Sequence, residues 1–295
     1  MQFGRLLTAV VTPFDHNGNI DYVKTERLIY HLITNGTDGL VITGTTGESP
    51  TLTKEEKLAF MQFVVKYVNN RVPVIAGTGS NNTHESIALT KQAETIGVDG
   101  VMLVTPYYNK PSQEGMYQHF SAIANATTLP VMLYNIPGRS VVGLTTETII
   151  RLSQVDNITS IKEASADLEA MTTIIRETDD NFHLYSGDDG LTLPILAIGG
   201  YGIVSVSSHI IGNEMQAMIQ HHINGEPRKA AELHQNIMPI MKTLFMAPNP
   251  TAVKEALGIL GVDVGSVRLP LIPLNQEERT RLEQTLYFMK KTHAG

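Results

Sequence analysis

The sequence predicts a (β/α)₈ barrel, an α/β TIM barrel, followed by a C-terminal helical extension. Three observations lead to this prediction: the length of the chain, its recurrent short apolar runs, and the helical periodicity between those runs. The chain has 295 residues, which fits one barrel of roughly 200–250 residues and an additional segment. Hydrophobic residues make up 42% of the chain and charged residues 17%, as is usual for a globular protein.

Eight β-branched apolar runs recur, and six of them are followed by Gly, Pro or Asn. They span residues 6–12, 39–43, 72–76, 100–105, 130–134, 158–162, 182–186 and 202–207. Segments of helical periodicity, such as 22–35 and 54–68, lie between them. Apolar strands that alternate with helices indicate a parallel sheet covered by helices, and eight such units indicate a closed barrel. The alternative is an open doubly wound sheet, which favours a glycine-rich nucleotide fingerprint where residues 12–15 read Thr-Pro-Phe-Asp.

The last part of the chain is mainly helical, over residues 214–224, 226–245, 251–261 and 276–291. The first of these helices closes the barrel, and the others exceed what a barrel needs. We therefore expect a barrel over residues 1–225 that carries the active site and an extension over residues 226–295. No linker rich in Ser, Gly or Pro separates the two parts, so the extension should pack on the barrel.

Composition excludes several classes of function. The net charge is −7 and no basic cluster is present, which argues against a nucleic-acid-binding protein. The absence of cysteine excludes disulfides, zinc–thiolate sites and a thiol nucleophile. The apolar segment 6–11 is too short to span a membrane and lacks a signal-peptide cleavage pattern, so we expect a cytoplasmic protein.

Lys162 has an unusual position for a lysine. Active sites of such barrels lie at the carboxyl ends of the strands, and Lys162 lies in a strand that helices should cover on its outer side. Its side chain should point into the barrel and lose hydration, which disfavours the ammonium form and makes the amine a nucleophile for Schiff-base formation. The alternative is a buried ion pair with Glu163 or Asp188. Most other lysines are expected on helical or loop surfaces.

Polar groups follow neighbouring strands. The turn from Gly44 to Gly47 can present N–H donors to an anion, and it lacks the Gly-Lys-Ser/Thr ending of a nucleotide P-loop, so a carboxylate suits it better. A tight turn with a helix cap is the alternative. Tyr107, Tyr108 and Tyr134 bring hydroxyls that can relay protons or simply pack, and Arg139 can bind a carboxylate or lie in solvent. Because Asp188 and Asp189 are adjacent and the histidines form no ligand pattern, we predict no metal site.

Four motifs together resemble those of the 4-hydroxy-tetrahydrodipicolinate synthases, also called dihydrodipicolinate synthases, in the class I pyruvate-dependent aldolase superfamily. They are GTTGES at 44–49, TPYYNKP at 105–111, YNIPGRS at 134–140 and IKEA at 161–164. The resemblance extends from residue 10 to residue 270. It implies a lyase that condenses pyruvate with L-aspartate 4-semialdehyde in the first committed step of diaminopimelate and lysine biosynthesis. The covalent imine with the enzyme serves in place of a cofactor.

The resemblance also implies a role for each site residue. Lys162 matches the Schiff-base lysine, Tyr134 the proton donor and acceptor, Thr45 and Tyr108 the other relay hydroxyls, Thr46 the group that holds pyruvate, Val204 the wall of its pocket, and Arg139 the group that receives the semialdehyde carboxylate. In the family the second tyrosine crosses to a neighbouring subunit, which implies a homodimer or a homotetramer built as a dimer of dimers. The alternatives are a sister aldolase acting on N-acetylneuraminate or 2-keto-3-deoxy sugar acids, and a non-catalytic barrel.

One departure from the family concerns regulation. Lysine-inhibited members carry histidines where this chain has Lys54 and Lys57, while Asn81, Glu85 and Tyr107 match the rest of the effector-site pattern. A cation near a cationic effector should repel it. We therefore predict weak or absent feedback by lysine.

Overall fold

The computed structural model describes residues 3–293, and these contain a closed barrel of eight parallel strands. The strands are β1 Leu6–Ala9, β2 Gly39–Ile42, β3 Val74–Gly77, β4 Gly100–Val104, β5 Val131–Asn135, β6 Ile158–Glu163, β7 His183–Ser186 and β8 Gly202–Ser205. Each strand pairs with the next along the chain, and β8 closes the barrel on β1. The predicted (β/α)₈ barrel is confirmed, and the open doubly wound sheet is wrong.

Helices alternate with the strands and continue after them. They are α1 Tyr22–Thr34, α2 Lys54–Val68, α3 Thr83–Ile96, α4 Gln113–Ala124, α5 Pro137–Ser140, α6 Thr146–Leu152, α7 Leu168–Glu177, α8 Thr192–Ala197, α9 Ser208–Ile223, α10 Pro227–Thr243, α11 Thr251–Ile259 and α12 Gln276–His293. A capping box of Thr53 and Glu56 begins α2, because each side chain binds the other residue's backbone N–H. None of the described helices is long and apolar enough to cross a membrane.

Several strands are shorter than the apolar runs that predict them. β1 ends at Ala9 although Val10 and Val11 are also buried, because the chain leaves the sheet there and Thr12 Oγ1 donates to Gly47 O. β3 begins at Val74, after a proline that has no N–H to donate. Apolar character reports burial rather than ladder hydrogen bonding, so the runs overestimate strand length.

The barrel encloses its own core, separate from the core between sheet and helices. Side chains that line its interior include those of Leu7, Val41, Ile75, Met102, Met132, Tyr134, Tyr185 and Val204. The outer core lies between the other face of the strands and the helices, and Ile42, Leu103 and Ile161 belong to it. Alternate residues of each strand therefore face the interior, where a site can form.

The C-terminal helices pack on the barrel. α10 contacts α9, and α12 contacts α10 and α11. Ile237, Ile240, Val253 and Leu257 from these helices are buried in the outer core. The outer core includes residues from both sides of the boundary between residues 225 and 226. The division of the chain into two domains at this boundary stays a prediction.

Candidate active site

A cavity of about 280 Å³ opens at the carboxyl ends of β2 to β5. Its wall includes Thr45 after β2, Ser80 after β3, Tyr107 after β4, and Tyr134 and Arg139 at the end of β5. These residues are far apart in sequence, and the parallel barrel brings them together because all its strands end on one side. This is the end of the barrel that the sequence predicts for the active site.

Lys162 lies inside the barrel beside that cavity. In the strand register it sits between Tyr134 of β5 and Tyr185 of β7, and both tyrosines belong to the interior core. Only 5% of Lys162 is exposed, and its Nζ lies 4.2 Å from the centroid of the Tyr134 ring. Lys162 does not line the cavity wall itself, but Tyr134, which it contacts, does. The amine is therefore removed from bulk water at the edge of a space for a small ligand.

Lys162 forms no ion pair with any carboxylate of residues 3–293. Glu163 instead accepts hydrogen bonds from Asn135 Nδ2 and Ser165 N, at 2.8 Å each, and its burial raises the pKa of the carboxyl. Asp188 Oδ1 accepts from Gly190 N. Both carboxylates considered as partners are thus engaged elsewhere, so the buried ion pair is wrong and the amine of Lys162 is available for chemistry.

The turn from Gly44 to Gly47 forms a compact loop. Glu48 N donates to Thr45 O and Ser49 N to Gly44 O, while Gly47 O accepts from Thr12 Oγ1. A Cβ on Gly47 would lie 3.1 Å from Val10 O and 3.3 Å from Thr12 Oγ1, so the close approach of the chain favours glycine there. Within residues 3–293, the backbone N–H groups of Thr45 and Thr46 have no acceptor. Free donors at the cavity suit a carboxylate.

Thr46 and Val204 are buried, at 3% and 1% exposure. Val204 faces the barrel interior in the same cluster as Tyr134. Thr46 Oγ1 accepts a hydrogen bond of 2.9 Å from Asn249 Nδ2, which comes from the C-terminal extension. The sequence did not single out Asn249, because nothing local distinguishes it from a surface asparagine.

Tyr108 is not part of this assembly within one chain. Its side chain is 89% exposed, and its φ of +73° holds the backbone in the left-handed region that non-glycine residues rarely adopt. No hydrogen bond joins the hydroxyls of Thr45, Tyr108 and Tyr134 in the described part of the chain. The relay inferred from the resemblance is therefore incomplete in the monomer, and the crossing of Tyr108 to a second subunit stays a prediction.

Arg139 lies on α5, the single turn of helix after β5, with its side chain exposed at the mouth of the cavity. The turn begins at Pro137, which suits the first position of a helix, and Ser140 Oγ donates to Val142 O at its end. The guanidinium is thereby held at the entrance rather than at the buried amine. That position suits a group that receives the carboxylate of an incoming ligand.

A second cavity of about 450 Å³ lies beside the first. Lys54, Lys57 and Glu85 line it, and Lys57 also lines the first cavity. Burial lowers the pKa of Lys57, against the attraction of Glu85, which raises it. Asn81 Nδ2 donates to Tyr107 O at 3.1 Å, so these two residues of the effector-site pattern are neighbours.

The sequence pattern did not indicate the buried ion pair between Lys254 and Glu48. Lys254 is a buried lysine of α11, contrary to the expectation that most lysines other than Lys162 lie on surfaces, and its Nζ is 2.6 Å from Glu48 Oε1. Their side chains are only 2% and 1% exposed. Burial lowers the pKa of Lys254 to about 8, although Glu48 opposes this. In the fold, Lys254 lies among the buried residues of α11.

The two aspartates after β7 serve the fold. Asp189 is fully buried and accepts hydrogen bonds from Ser205 Oγ, Ser207 Oγ and Val206 N, while burial raises its pKa. Asp188 caps the short 3₁₀ helix Asp189–Leu191. Their side chains therefore diverge, and no cluster of three or more metal-ligating side chains occurs in residues 3–293.

A closed (β/α)₈ barrel with a buried lysine that has no ion pair within residues 3–293, beside a tyrosine at the strand end that opens to a cavity, defines the class of Schiff-base lyases. A profile of the dihydrodipicolinate synthetase family matches residues 2–288. The chain belongs to this family.

Relatives of known name support the assignment over nearly the full chain. The chain is 64% identical over 286 residues to 4-hydroxy-tetrahydrodipicolinate synthase of Bacillus velezensis, covering 97% of this chain and 99% of the relative. The crystal structure of a dihydrodipicolinate synthase from Bacillus anthracis superposes with a TM-score of 0.96 at 61% identity, covering 97% and 98% of the two chains. The synthase of Cyanidioschyzon merolae with lysine bound also gives 0.96, at 47% identity and 98% coverage of both chains.

Proposed function

We propose that this chain acts as a 4-hydroxy-tetrahydrodipicolinate synthase, a lyase that condenses pyruvate with L-aspartate 4-semialdehyde. The observation that carries the proposal is Lys162, a buried lysine that forms no ion pair in the described part of the chain and contacts Tyr134 beside the cavity. The reaction is the first committed step of diaminopimelate and lysine biosynthesis, and we place it in the cytoplasm. It requires no metal or cofactor beyond the imine formed with the substrate.

The chemistry begins with the neutral amine of Lys162. Its Nζ attacks the ketone carbon of pyruvate to form a carbinolamine, which loses water to give a protonated imine. The protonated imine withdraws electrons, so the methyl carbon loses a proton and the imine becomes an enamine. The enamine carbon then attacks the aldehyde carbon, forming the new carbon–carbon bond while the aldehyde oxygen takes up a proton. This step regenerates the imine with Lys162, and attack on the imine carbon by water or by the amino group of the substrate breaks its bond to Nζ and frees the lysine. We assign the transfer of these protons to Tyr134, and the contact of its ring with Nζ supports this assignment.

Pyruvate requires a carboxylate site next to the amine. We assign it to the turn of Thr45 and Thr46, whose backbone N–H groups lack acceptors within residues 3–293, with Val204 as an apolar wall. Free amide donors of this kind bind carboxylates without a cationic side chain. A cationic side chain at this turn would attract the carboxylate of either substrate. Backbone amides and a hydroxyl instead suit a small ketoacid that is held at a fixed distance from the amine.

Tyr108 completes the relay from the neighbouring subunit in our proposal. The relay needs Thr45, Tyr134 and a third hydroxyl, and the exposure of Tyr108 leaves it free to reach another chain. An active site completed in this way requires at least a homodimer. We propose a homotetramer composed of two such dimers as the assembled form.

Arg139 distinguishes the proposed function from the sister aldolases. Its guanidinium at the cavity mouth can bind the carboxylate of aspartate semialdehyde through two parallel hydrogen bonds. N-acetylneuraminate lyase and 2-keto-3-deoxy sugar acid aldolases share the lysine and the tyrosine and form the alternative. A non-catalytic barrel would not require a buried amine without a counter-ion.

Feedback by lysine is expected to be weak or absent. A relative from Cyanidioschyzon merolae has been crystallised with lysine. In this chain Lys54 and Lys57 line the second cavity together with Glu85, so the ammonium groups of a bound lysine molecule would meet two cationic side chains. Strong inhibition of the purified enzyme by low concentrations of lysine would contradict this prediction.

Borohydride trapping tests the mechanism. The protein is incubated with pyruvate, reduced with borohydride and digested, and the modified peptide is identified by mass spectrometry. We expect the adduct on Lys162, with Lys254→Arg unchanged in its trapping and Lys162→Arg not trapped. An unmodified Lys162 would overturn the mechanism. Turnover of pyruvate with aspartate semialdehyde is then compared with turnover with sugar aldehydes, and a preference for the sugars would favour the sister aldolases.

A further inference from the structure

The C-terminal extension contacts the proposed carboxylate-binding turn directly. Asn249 lies between α10 and α11, and its Nδ2 donates to Thr46 Oγ1 at 2.9 Å. Both residues are buried, at 8% and 3% exposure. They are 203 positions apart in the sequence, so the contact exists only because the extension folds back over the barrel.

The direction of this hydrogen bond determines the direction of the Thr46 hydroxyl. An amide nitrogen donates and does not accept, so Thr46 Oγ1 must be the acceptor and keeps its own proton. Within residues 3–293, that proton has no acceptor. The hydroxyl of Thr46 can therefore donate a hydrogen bond to a ligand, and a substrate carboxylate is the acceptor that the turn is suited to bind.

The side chain of Asn249 makes no other polar contact in the described part of the chain. Its Oδ1 is buried and has no hydrogen-bond partner there, and Nδ2 donates to Thr46 alone. An unpaired buried carbonyl is costly, so it is an unusual way merely to attach a loop. Among the described residues, Thr46 is therefore the polar partner through which the side chain of Asn249 acts.

The same part of the extension also holds the far end of the turn. Glu48, whose φ is +54°, follows Gly47 and is bound by Lys254 Nζ at 2.6 Å and by the backbone N–H of Arg268 at 2.8 Å. Lys254 Nζ further donates to Ser266 O. The extension thus fixes the turn on both sides of Gly47, and Asn249 acts on a loop whose backbone is already held in place.

We infer that Asn249 is a positioning residue that orients the Thr46 hydroxyl as a donor to the carboxylate of the ketoacid. The inference rests on the proposed function, because it uses Thr46 as the group that holds pyruvate. It assigns the C-terminal extension a part in substrate affinity, although the extension lies outside the barrel that carries the reacting groups.

Three substitutions separate orientation from packing. Asn249→Ala removes the donor, Asn249→Asp keeps the shape but presents an ionised acceptor to Thr46, and Thr46→Val removes the hydroxyl. Steady-state kinetics with pyruvate and aspartate semialdehyde give kcat and KM for each full-length variant, and thermal unfolding reports its stability. Asn157→Ala is a matched control, because Asn157 Nδ2 donates to three backbone carbonyls of another loop.

We expect Asn249→Ala to raise the KM for pyruvate about fivefold, with kcat changed less, because one oriented hydrogen bond to a charged group is lost. Asn249→Asp should raise it further, since the carboxylate draws the Thr46 proton away from the substrate and adds a like charge. In a Thr46→Val background, Asn249→Ala should have less than about a twofold effect, because the group through which it acts is absent. Asn157→Ala should lower the melting temperature and leave the KM unchanged.

A purely structural role gives a different pattern. The effect of Asn249→Ala on KM would then persist in the Thr46→Val background, or Asn249→Ala would lower kcat and the melting temperature as much as it lowers the affinity for pyruvate. Either result overturns the inference, as does a KM unchanged in all Asn249 variants. Borohydride trapping of the unsubstituted protein separates the two failures: if Lys162 is trapped, the inference alone fails, and if it is not, the proposed function fails as well.

Discussion

The buried pair of Lys254 and Glu48 leads to a quantitative prediction about stability. Lys254→Met removes the cation and leaves the Glu48 carboxylate at 1% exposure with one backbone donor, the N–H of Arg268. An uncompensated buried charge costs about 3–5 kcal/mol. Because the Arg268 N–H remains, we expect a loss of about 3 kcal/mol in the free energy of unfolding.

The reverse substitution should be less damaging. Burial lowers the pKa of Lys254 to about 8 although Glu48 raises it, so in Glu48→Gln the pKa falls further and the amine can lose its proton at pH 7 and avoid an unpaired charge. We expect a loss of about 1–2 kcal/mol for Glu48→Gln at this pH. The double variant should lose less than the sum of the two, because both charges are gone and only their packing and hydrogen bonds remain altered.

Denaturant unfolding at pH 7 and fixed protein concentration, followed by circular dichroism, measures these differences. Lys229→Met provides the control, because its ion pair with Glu226 joins side chains that are 60% and 37% exposed, and it should cost less than about 1 kcal/mol. The reasoning is refuted if Lys254→Met costs no more than Lys229→Met, or if the two substitutions at the buried pair are additive.

Three further predictions concern assembly, specificity and pH. Tyr108→Phe and Lys162→Met should each abolish most activity. When equal amounts of the two variants are mixed and reassembled, about a quarter of all sites should combine a native Lys162 with a native Tyr108 from the other subunit and regain activity. An absence of recovery would contradict the crossing of Tyr108. Arg139→Ala should raise the KM for aspartate semialdehyde about tenfold or more, measured by steady-state kinetics, while the KM for pyruvate changes little. His209 is fully buried, which lowers its pKa from 6.5 to about 4, so the unfolded chain takes up a proton at this residue first as pH falls. This histidine alone should account for about 3 kcal/mol of the stability lost between pH 6.5 and 4 in unfolding experiments. His209→Gln should flatten that slope.

The sequence predicts the barrel because its signals are local. Each strand is a short apolar run and each helix has its own period, so the order of elements can be seen without knowing any contact. The inward direction of Lys162 also follows from one strand, since residues of a covered strand alternate between two buried faces. Its contact with Tyr134, by contrast, depends on the register between β5 and β6.

The missed residues share a property: their partners are distant in sequence and unlike them in type. Asn249 resembles any loop asparagine, and Lys254 any lysine on an amphipathic helix, until the extension is placed over the turn. Glu48 likewise appears in the sequence as the polar end of a glycine-rich turn, whereas in the fold it anchors that turn to α11. The periodicity of a sequence predicts which residues are buried, but it does not predict which buried polar groups contact each other.

The sequence by itself determined the class of fold, the position of the lysine inside it and the order of the polar turns at the strand ends, because these follow from local periodicity and from the shared direction of parallel strands. Only the tertiary structure decided that, among the described residues, Lys162 has no counter-ion while Lys254 has one. Both are lysines in apolar surroundings, and whether a buried amine becomes an ion pair or a nucleophile depends on which carboxylate the folded chain brings within reach.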